Sequence, residues 1–296
     1  MDELNENLDW SEHWWPAPAK LNLVLNITGQ RADGYHELQT VFQLLNVSDW
    51  MNFDKSPDGA ITFKCDLSSL ETEDNLVVRA ANLLKDTMGV KYGVSITLRK
   101  MLPMGAGLGG GSSDAATTLL VLNKLWGLGC SLDELAELGL QLGADVPVFI
   151  YGSSAWAEGV GEVISEMKLP EKWFVVVNSE YHCSTKEVFQ NKCLTRDSAA
   201  ITIRAFLDGY EKNDCLAVVR GMSQGLDDIY CRFSDFGKVL LTGTGSSMFM
   251  KCDTREEAVS LSEKLPAEWQ TWVVRGVNKS PLHSSLNRFI NSANKV

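Results

Sequence analysis

The run PMGAGLGGGSSDAATTLLVLNKLW, from Pro103 to Trp126, limits what this chain can fold into more than any other stretch. Glycine stands at positions 105, 107, 109, 110 and 111, and the chain then passes abruptly into a helix-forming segment. A turn needs one or two glycines, and each further one adds an ordering cost that a plain connection does not require. What the glycines offer is bare backbone. Their N–H groups can approach a ligand without a Cβ in the way, and the helix N-terminus behind them adds free donors and a partial positive charge. Val94, Ile96 and Leu98 alternate with Ser95, Thr97 and Arg99 just upstream, so the order is strand, glycine loop, helix. That order points to phosphate binding. The plainer reading is a surface loop in which Ser112 caps a helix continued by Asp114 and Ala115.

Two familiar phosphate loops are disfavoured. The stretch has no G-x-x-x-x-G-K-[ST], so a Walker A loop fails for want of its lysine. Gly105, Gly107 and Gly110 do satisfy G-x-G-x-x-G, but Lys-Met-Leu-Pro separates them from the strand. The dinucleotide motif also needs an acidic strand end about 20 residues on. Here that distance leads to SLDELAEL, a helix with a Ser131–Glu134 capping box. Asp114 would repel a polyphosphate unless a cation lay between them. Either it sits in the first helical turn, where the dipole favours it, or it holds a Mg²⁺-bound water.

Charge sets the partners. A formal net charge of -11 gives a field that repels nucleic acid and anionic lipid, so an anionic ligand must be held by local groups. The 7 cysteines are an odd number without a C-x-x-C pair, which argues against a disulfide framework or a zinc site. The opening MDELNENLDWSEHWW has no basic start or apolar core, and no apolar run reaches the roughly 18 residues of a membrane span. The expectation is a soluble cytoplasmic protein, monomer or homodimer, acting on a small molecule.

Along the chain, Leu21, Leu23, Leu25 and Ile27 alternate with Lys20, Asn22, Val24 and Asn26 as in a half-buried strand. A turn at GQRADGYH and an apolar strand over Leu38 to Val47 follow, and the two strands are expected to pair. Leu76, Val77, Ala80, Leu83 and Leu84 recur at helical spacing behind Asp74 or Asn75 as cap. The capped helix after Ser131 is expected to stop near Gly143. KLPEK at 168–172 breaks the pattern ahead of a strand at Trp173 to Val177. The second half shows helical patterns at 201–211 and 255–265 and strands at 247–251 and 271–275. At 296 residues, 45% of them hydrophobic, there is material for two domains. The expected division is a tail over 1–15, a first domain over 16–170 that carries the glycine loop, and a second domain over 171–296. Strands and helices mix without regular alternation, which favours α+β.

Residues 103–113 resemble the phosphate loop of the galactokinase, homoserine kinase, mevalonate kinase and phosphomevalonate kinase superfamily. PAPAKLNLVLNITGQRADGYHELQTVFQ and LTGTGSSMFM sit where that superfamily keeps its first and third motifs. Within it, K-L-N-L, R-x-D-G-Y-H-E-L, GLGGGSSDAA and LGADVPVF are similar to the 4-diphosphocytidyl-2-C-methyl-D-erythritol kinases, over Trp15 to about His283. The resemblance implies a two-domain α+β kinase. Its N-terminal domain would be like domain 2 of ribosomal protein S5 and its C-terminal domain α/β-plait-like. It implies transfer of the ATP γ-phosphoryl group, with Mg²⁺, to the 2-hydroxyl of the cytidine-diphospho-methylerythritol, in a cleft between the domains.

Carried over, the resemblance makes Lys20 and Asp145 the catalytic pair. A carboxylate within reach of the attacking hydroxyl takes its proton, and an ammonium stabilises developing charge. A loose phosphoryl transition state asks little deprotonation before attack, so positioning matters more than basicity. Asn75, Leu76 and Lys100 fall where the family contacts adenine. Pro103, Met104, Gly105, Ala106, Gly107, Leu108, Gly109, Gly110, Gly111, Ser112 and Ser113 form the phosphate loop. Tyr35 and His36 would read cytosine by stacking and hydrogen bonding, with Phe189 stacking from the other domain. Asn22 would orient substrate or carboxylate, and Gly243 and Gly245 supply a second close-approach loop. The direct ligands of the metal are not identified. Several of these residues also have a plainer account: Lys20 a solvated strand lysine, Asp145 a cap or turn, Asn75 a helix cap, Phe189 core packing, Gly243 and Gly245 a turn into a strand. The chain departs from the family's pattern around His182 and Cys183, and the segment before Pro16 lies outside the shared motifs. A sister kinase would need no cytosine reader, and a non-catalytic ATP-binding relative would need neither Lys20 nor Asp145.

Overall fold

The structure, a computed structural model, describes residues 13–179, 181 and 183–293. His182, where the chain departs from the family's pattern, lies outside the described residues, as do residues 1–12 of the expected tail. Strands β1 (Trp15–Gln30) and β2 (His36–Ser56) form the expected antiparallel ribbon. The turn between them has Gly34 at a φ of 90°, and the Arg31 N–H closes it on the Tyr35 carbonyl at 2.7 Å.

Strand β1 is not half-buried. It is covered on both faces from Trp15 to Ile27, because it threads three apolar clusters in turn. Trp15 and Ala17 belong to the first core, Leu21 and Val24 to a middle layer, Leu25 and Ile27 to the second core. A polar side chain on such a strand is cut off from bulk water on either side and has to find a partner. The register slips between Pro18 and Lys20 and again between Asn22 and Val24. Irregularities of this kind re-aim side chains, and Lys20 and Asn22 lie between the two.

Strand β2 is the hub of the sheet. On its outer side it pairs with β4 (Gly93–Arg99), which pairs in parallel with β3 (Ile61–Cys65). It also pairs with β5 (Ala155–Glu158), which carries β6 (Val163–Glu166), and with β10 (Gln270–Val277). From β10 the sheet continues through β7 (Trp173–Asn178) and β9 (Met248–Cys252) to β8 (Leu240–Leu241). Among the described strand pairs only β3 with β4 is parallel, so the α+β expectation holds.

Helices α1 (Leu76–Met88), α2 (Gly110–Leu125), α3 (Leu132–Leu140) and α4 (Val146–Tyr151) cover the first part of the sheet. The Asn75 side chain caps α1, accepting from the Val77 N–H at 2.9 Å, and the Ser131–Glu134 capping box closes α3 in both directions. Each such cap is worth about 1 kcal/mol. The second core packs α5 (Thr185–Gln190), α7 (Leu216–Met222), α8 (Gln224–Ser234) and α9 (Arg255–Ser262) against β7 and β9. The 201–211 pattern yields only a short α6 (Ile203–Leu207).

Two segments cross the divisions expected from sequence. Trp15 opens β1 and is buried in the first core rather than ending a tail. Helix α10 (Pro281–Ala293), which the sequence pattern did not reveal, returns to the first core through Leu282 and Leu286. No helix among the described residues is long and apolar enough to cross a membrane.

Candidate active site

Strand β4 ends at Arg99, and the chain turns through 100–109 before α2 begins at Gly110. Gly105, Gly107 and Gly109 all have left-handed backbone, with φ of 62°, 74° and 74°, which is why no other residue serves well there. The helix starts earlier than a cap at Ser112 would place it. Its N-cap is Gly109, which has no side chain to offer, so the first turn of α2 is left uncapped beside a cleft. Ser112 therefore lies inside the helix. Ser113 is fully buried and does not line the cleft, unlike its neighbours in the loop.

The cleft has a volume of about 1250 Å³. It gathers Lys20, Asn22, Tyr35, His36, Asn75, Leu76, Lys100, loop residues 103–112, Asp145, Phe189, Gly243 and Gly245. Thus every residue singled out from the sequence except Ser113 borders one space. The glycine loop is tied by hydrogen bonds to the segment around Thr242 and Ser247. The Thr242 hydroxyl donates to the Gly107 carbonyl at 3.1 Å, and the Ser247 N–H donates to the Ala106 carbonyl at 3.1 Å. A Cβ on Gly107 would come within 2.3 Å of the Thr242 carbonyl oxygen, so this approach exists only because residue 107 is glycine.

At the floor, Lys20 Nζ lies 3.1 Å from Asp145 Oδ2 and donates to Asn22 Oδ1 at 2.5 Å. The amide of Asn22 is held in turn, its Nδ2 donating to Thr40 Oγ1 at 2.8 Å. Asn22 thus aims the lysine rather than the carboxylate. The Lys20 N–H donates to the Leu108 carbonyl at 3.0 Å, tying the lysine's strand to the glycine loop. The lysine side chain is 2% exposed and that of Asp145 is 35% exposed, so the pair presents chiefly its carboxylate to the cleft, with the lysine behind it. Asp145 stands at the N-cap position of α4 but makes no capping hydrogen bond, and the solvated-lysine reading of Lys20 fails with it.

Lys100 does something the sequence did not suggest. Its Nζ is pinned between Asp49 and Asp114, 3.0 Å from Asp114 Oδ2, with all three side chains almost wholly buried. Asp49 Oδ1 also accepts from the Met101 and Leu102 N–H groups at 2.6 and 2.8 Å, so this triad ties both ends of the glycine loop. Burial pushes the Asp114 carboxyl up to about 7, against the pull of Lys100. Burial alone would lower Lys100, but the two carboxylates raise it. With α2 starting at Gly110, Asp114 is past the first turn, so the dipole account of it does not hold.

Elsewhere in the cleft lining, the His36 ring stacks on Phe189 with centroids 5.0 Å apart and an interplanar angle of 27°. Tyr35 is 64% exposed at the rim. Arg196, absent from the sequence reading, donates from Nε to His36 Nε2 at 3.1 Å. Burial, with Arg196 beside it, holds the imidazole below its ordinary value. Asn75 also borders the cleft, but both ends of its amide are committed, to the Val77 N–H and the Leu70 carbonyl. No group of three His, Cys, Asp or Glu side chains that could hold a metal ion occurs among the described residues.

Residues 75–153 match the family model described as the GHMP kinases N terminal domain. The chain is 49% identical over 274 residues to a 4-diphosphocytidyl-2-C-methyl-D-erythritol kinase of Nitrosococcus oceani, covering 93% of this chain and 98% of that one. It is likewise 49% identical over 273 residues to the enzyme of that name from Methylococcus capsulatus, covering 92% and 94%. A crystal structure of 4-(cytidine 5'-diphospho)-2C-methyl-D-erythritol kinase superposes with a TM-score of 0.79 at 31% identity, over 90% of this chain and 100% of that one. A mevalonate kinase at 15% identity, with a TM-score of 0.64 over 90% and 100% of the two chains, shares the fold.

Proposed function

Because the chain belongs to the 4-diphosphocytidyl-2-C-methyl-D-erythritol kinases, we propose that the Lys20–Asp145 pair carries out this family's phosphoryl transfer at the floor of the cleft. The activity is ATP-dependent phosphorylation of the 2-hydroxyl of 4-(cytidine 5'-diphospho)-2-C-methyl-D-erythritol, in isoprenoid precursor synthesis. ATP, when bound, supplies the γ-phosphoryl group. The uncapped first turn of α2 and the left-handed glycines fit its phosphates, and Leu76 and the rim around Asn75 fit the adenine end.

The observation that carries the assignment of roles is the 3.1 Å contact between a buried lysine and a half-open aspartate. Asp145 accepts a hydrogen bond from the substrate hydroxyl and takes its proton as the new bond forms. Lys20 fixes the carboxylate and, with hydrogen-bond partners for two of its three N–H groups among the described residues, turns the third to stabilising negative charge at the transferring group. Since the transition state is loose, the chief contribution of the pair is alignment. His36 and Phe189 hold the cytosine end, which a homoserine or mevalonate kinase would not need. Mg²⁺ would bring phosphate oxygens and water as most of its ligands. The 7 cysteines are all free, which supports a reducing cytoplasmic location.

The test is ADP release from ATP against the cytidine-diphospho-methylerythritol, mevalonate and homoserine, with and without Mg²⁺, and product mass measured. Turnover confined to the cytidylyl compound is expected. Phosphorylation of another alcohol would overturn the assignment of the His36 end, and ATP binding without turnover of any compound would overturn the roles given to Lys20 and Asp145.

A further inference from the structure

We infer that Arg196 locks His36 in the tautomer that carries its proton on Nδ1, and so makes the cleft select a cytosine edge over a uracil edge. The inference rests on the proposal that the pyrimidine base lies beside His36.

A guanidinium has donors only. With Arg196 Nε 3.1 Å from His36 Nε2 and donating to it, Nε2 must present its lone pair. A ring bound in this way is neutral and keeps its one proton on Nδ1. Burial and the neighbouring guanidinium both hold its titration below the ordinary histidine value, in agreement with that state. Among the described residues Nδ1 has no hydrogen-bond partner, while His36 lines the cleft. The open position of the ring is therefore a donor.

Arg196 is built to hold this arrangement. Its Nη1 donates to the Leu194 carbonyl at 3.1 Å, and its Nη2 donates to the carbonyls of Phe189 and Asn191 at 2.8 and 2.9 Å. A flexible cation making a chance contact would not spend four donor contacts in one half-buried place. The Phe189 bond matters most. One guanidinium fixes the backbone of the stacking phenylalanine and the tautomer of the histidine on which it stacks, across 160 residues of sequence.

The consequence is chemical discrimination. Ring nitrogen N3 of cytosine is an acceptor and pairs with an Nδ1–H donor. In uracil N3 carries a hydrogen, so two donors would face each other and one would lose its partner. Leaving a buried polar group unpaired costs enough to lower affinity roughly 10- to 100-fold. Arg196 is thus a positioning residue that acts through His36.

Two measurements on the full chain test this. In ¹⁵N-labelled protein without ligand, with His36 assigned by comparison with His36→Gln, the imidazole shifts at pH 7.5 should show Nδ1 protonated and Nε2 bare. The opposite tautomer would overturn the inference whatever the enzyme turns over. In the presence of saturating ADP, calorimetry should show cytidine 5'-diphosphate binding at least 10-fold more tightly than uridine 5'-diphosphate. Arg196→Met should erase most of that ratio and shift the His36 ring toward the Nε2–H form. Loss of stability with the tautomer and the ratio unchanged would mean that Arg196 is only a brace for the 189–194 loop, and would also overturn it. Absence of turnover on the cytidylyl substrate, by contrast, bears on Lys20 and Asp145 and leaves the tautomer reading intact.

Discussion

Gly109 is where the glycine loop touches the proposed catalytic pair, and Gly109→Ala separates two costs that glycines usually confound. Its φ of 74° lies in the left-handed region, which costs a residue with a Cβ roughly 1–2 kcal/mol. An added Cβ would stand 2.9 Å from Phe149 Cζ and 3.0 Å from Lys20 Cε. Phe149 is buried in the first core, so it has little room to withdraw, and overpacking of this kind costs a further 1–3 kcal/mol or so. Gly127 supplies the control. Its φ is 68°, yet nothing lies within 4 Å of the position its Cβ would take. Gly127→Ala should therefore lose about 1–2 kcal/mol and Gly109→Ala roughly 2–5 kcal/mol, the difference being the contact with Phe149 and Lys20. Lys20 is the softer neighbour and will move. A displacement of about 1 Å at a reacting group costs on the order of 100-fold in rate, so kcat should fall by that much in Gly109→Ala and not at all in Gly127→Ala. Urea denaturation gives the stabilities and ADP release gives kcat. If Gly109→Ala were as stable as Gly127→Ala and fully active, the packing of the glycine loop against Lys20 would be refuted.

Asp145→Asn keeps the size of the side chain and an oxygen for Lys20 but cannot take a proton, so kcat should drop about 10²- to 10⁴-fold with ATP affinity near that of the unmodified chain. Equal loss of turnover and ATP binding would show a structural role instead. For the buried triad the prediction concerns pH. The Asp114 carboxyl titrates at about 7 when folded against 3.8 in the free side chain, so the folded state holds the proton more tightly and this group's contribution to stability falls as pH rises from 4 to 7. Asp114→Asn removes that titration, so its stability relative to the unmodified chain should rise over the same interval. A difference between the two that stays flat with pH, measured by urea denaturation, would contradict the assignment.

What was legible in the sequence was what neighbours in the chain decide. The Asn75 cap of α1, the Ser131–Glu134 box of α3 and the strand, glycine loop, helix order are local, and all three form as the spacing implies. The cap of α2 was misread because a helix with glycine at its N-cap carries no polar side chain to mark its start. Strand β1 was read as half-buried because alternation reports side-chain direction and not what covers the second face. Arg196, in the plain stretch LTRDS, carries no signal of its own, since its meaning depends on His36, 160 residues away. Asp49 did carry one. A charged residue within the largely apolar run of β2 has to be paired, and its partner Lys100 is 51 residues further on.

The glycine loop thus runs between two lysine–aspartate arrangements, and their difference in exposure is what favours one of them for the proposed chemistry. Lys100 meets two carboxylates that are 0% and 4% exposed, and every contact it makes is internal. Asp49 is further committed to the N–H groups of residues 101 and 102, and Asp114 is closed off by its burial. Lys20 is as deeply buried, but its aspartate is 35% exposed and faces the cleft. A buried ammonium is costly to desolvate and is held here by Asn22 Oδ1 and one oxygen of Asp145, which leaves the rest of that carboxylate available to a substrate. The same pair of residue types therefore serves once as a fastening and once, in the role proposed for it, as a reactive group, and the distinction comes from strand β1 carrying Lys20 between two slips of register to a point where the aspartate beyond it opens on the cleft.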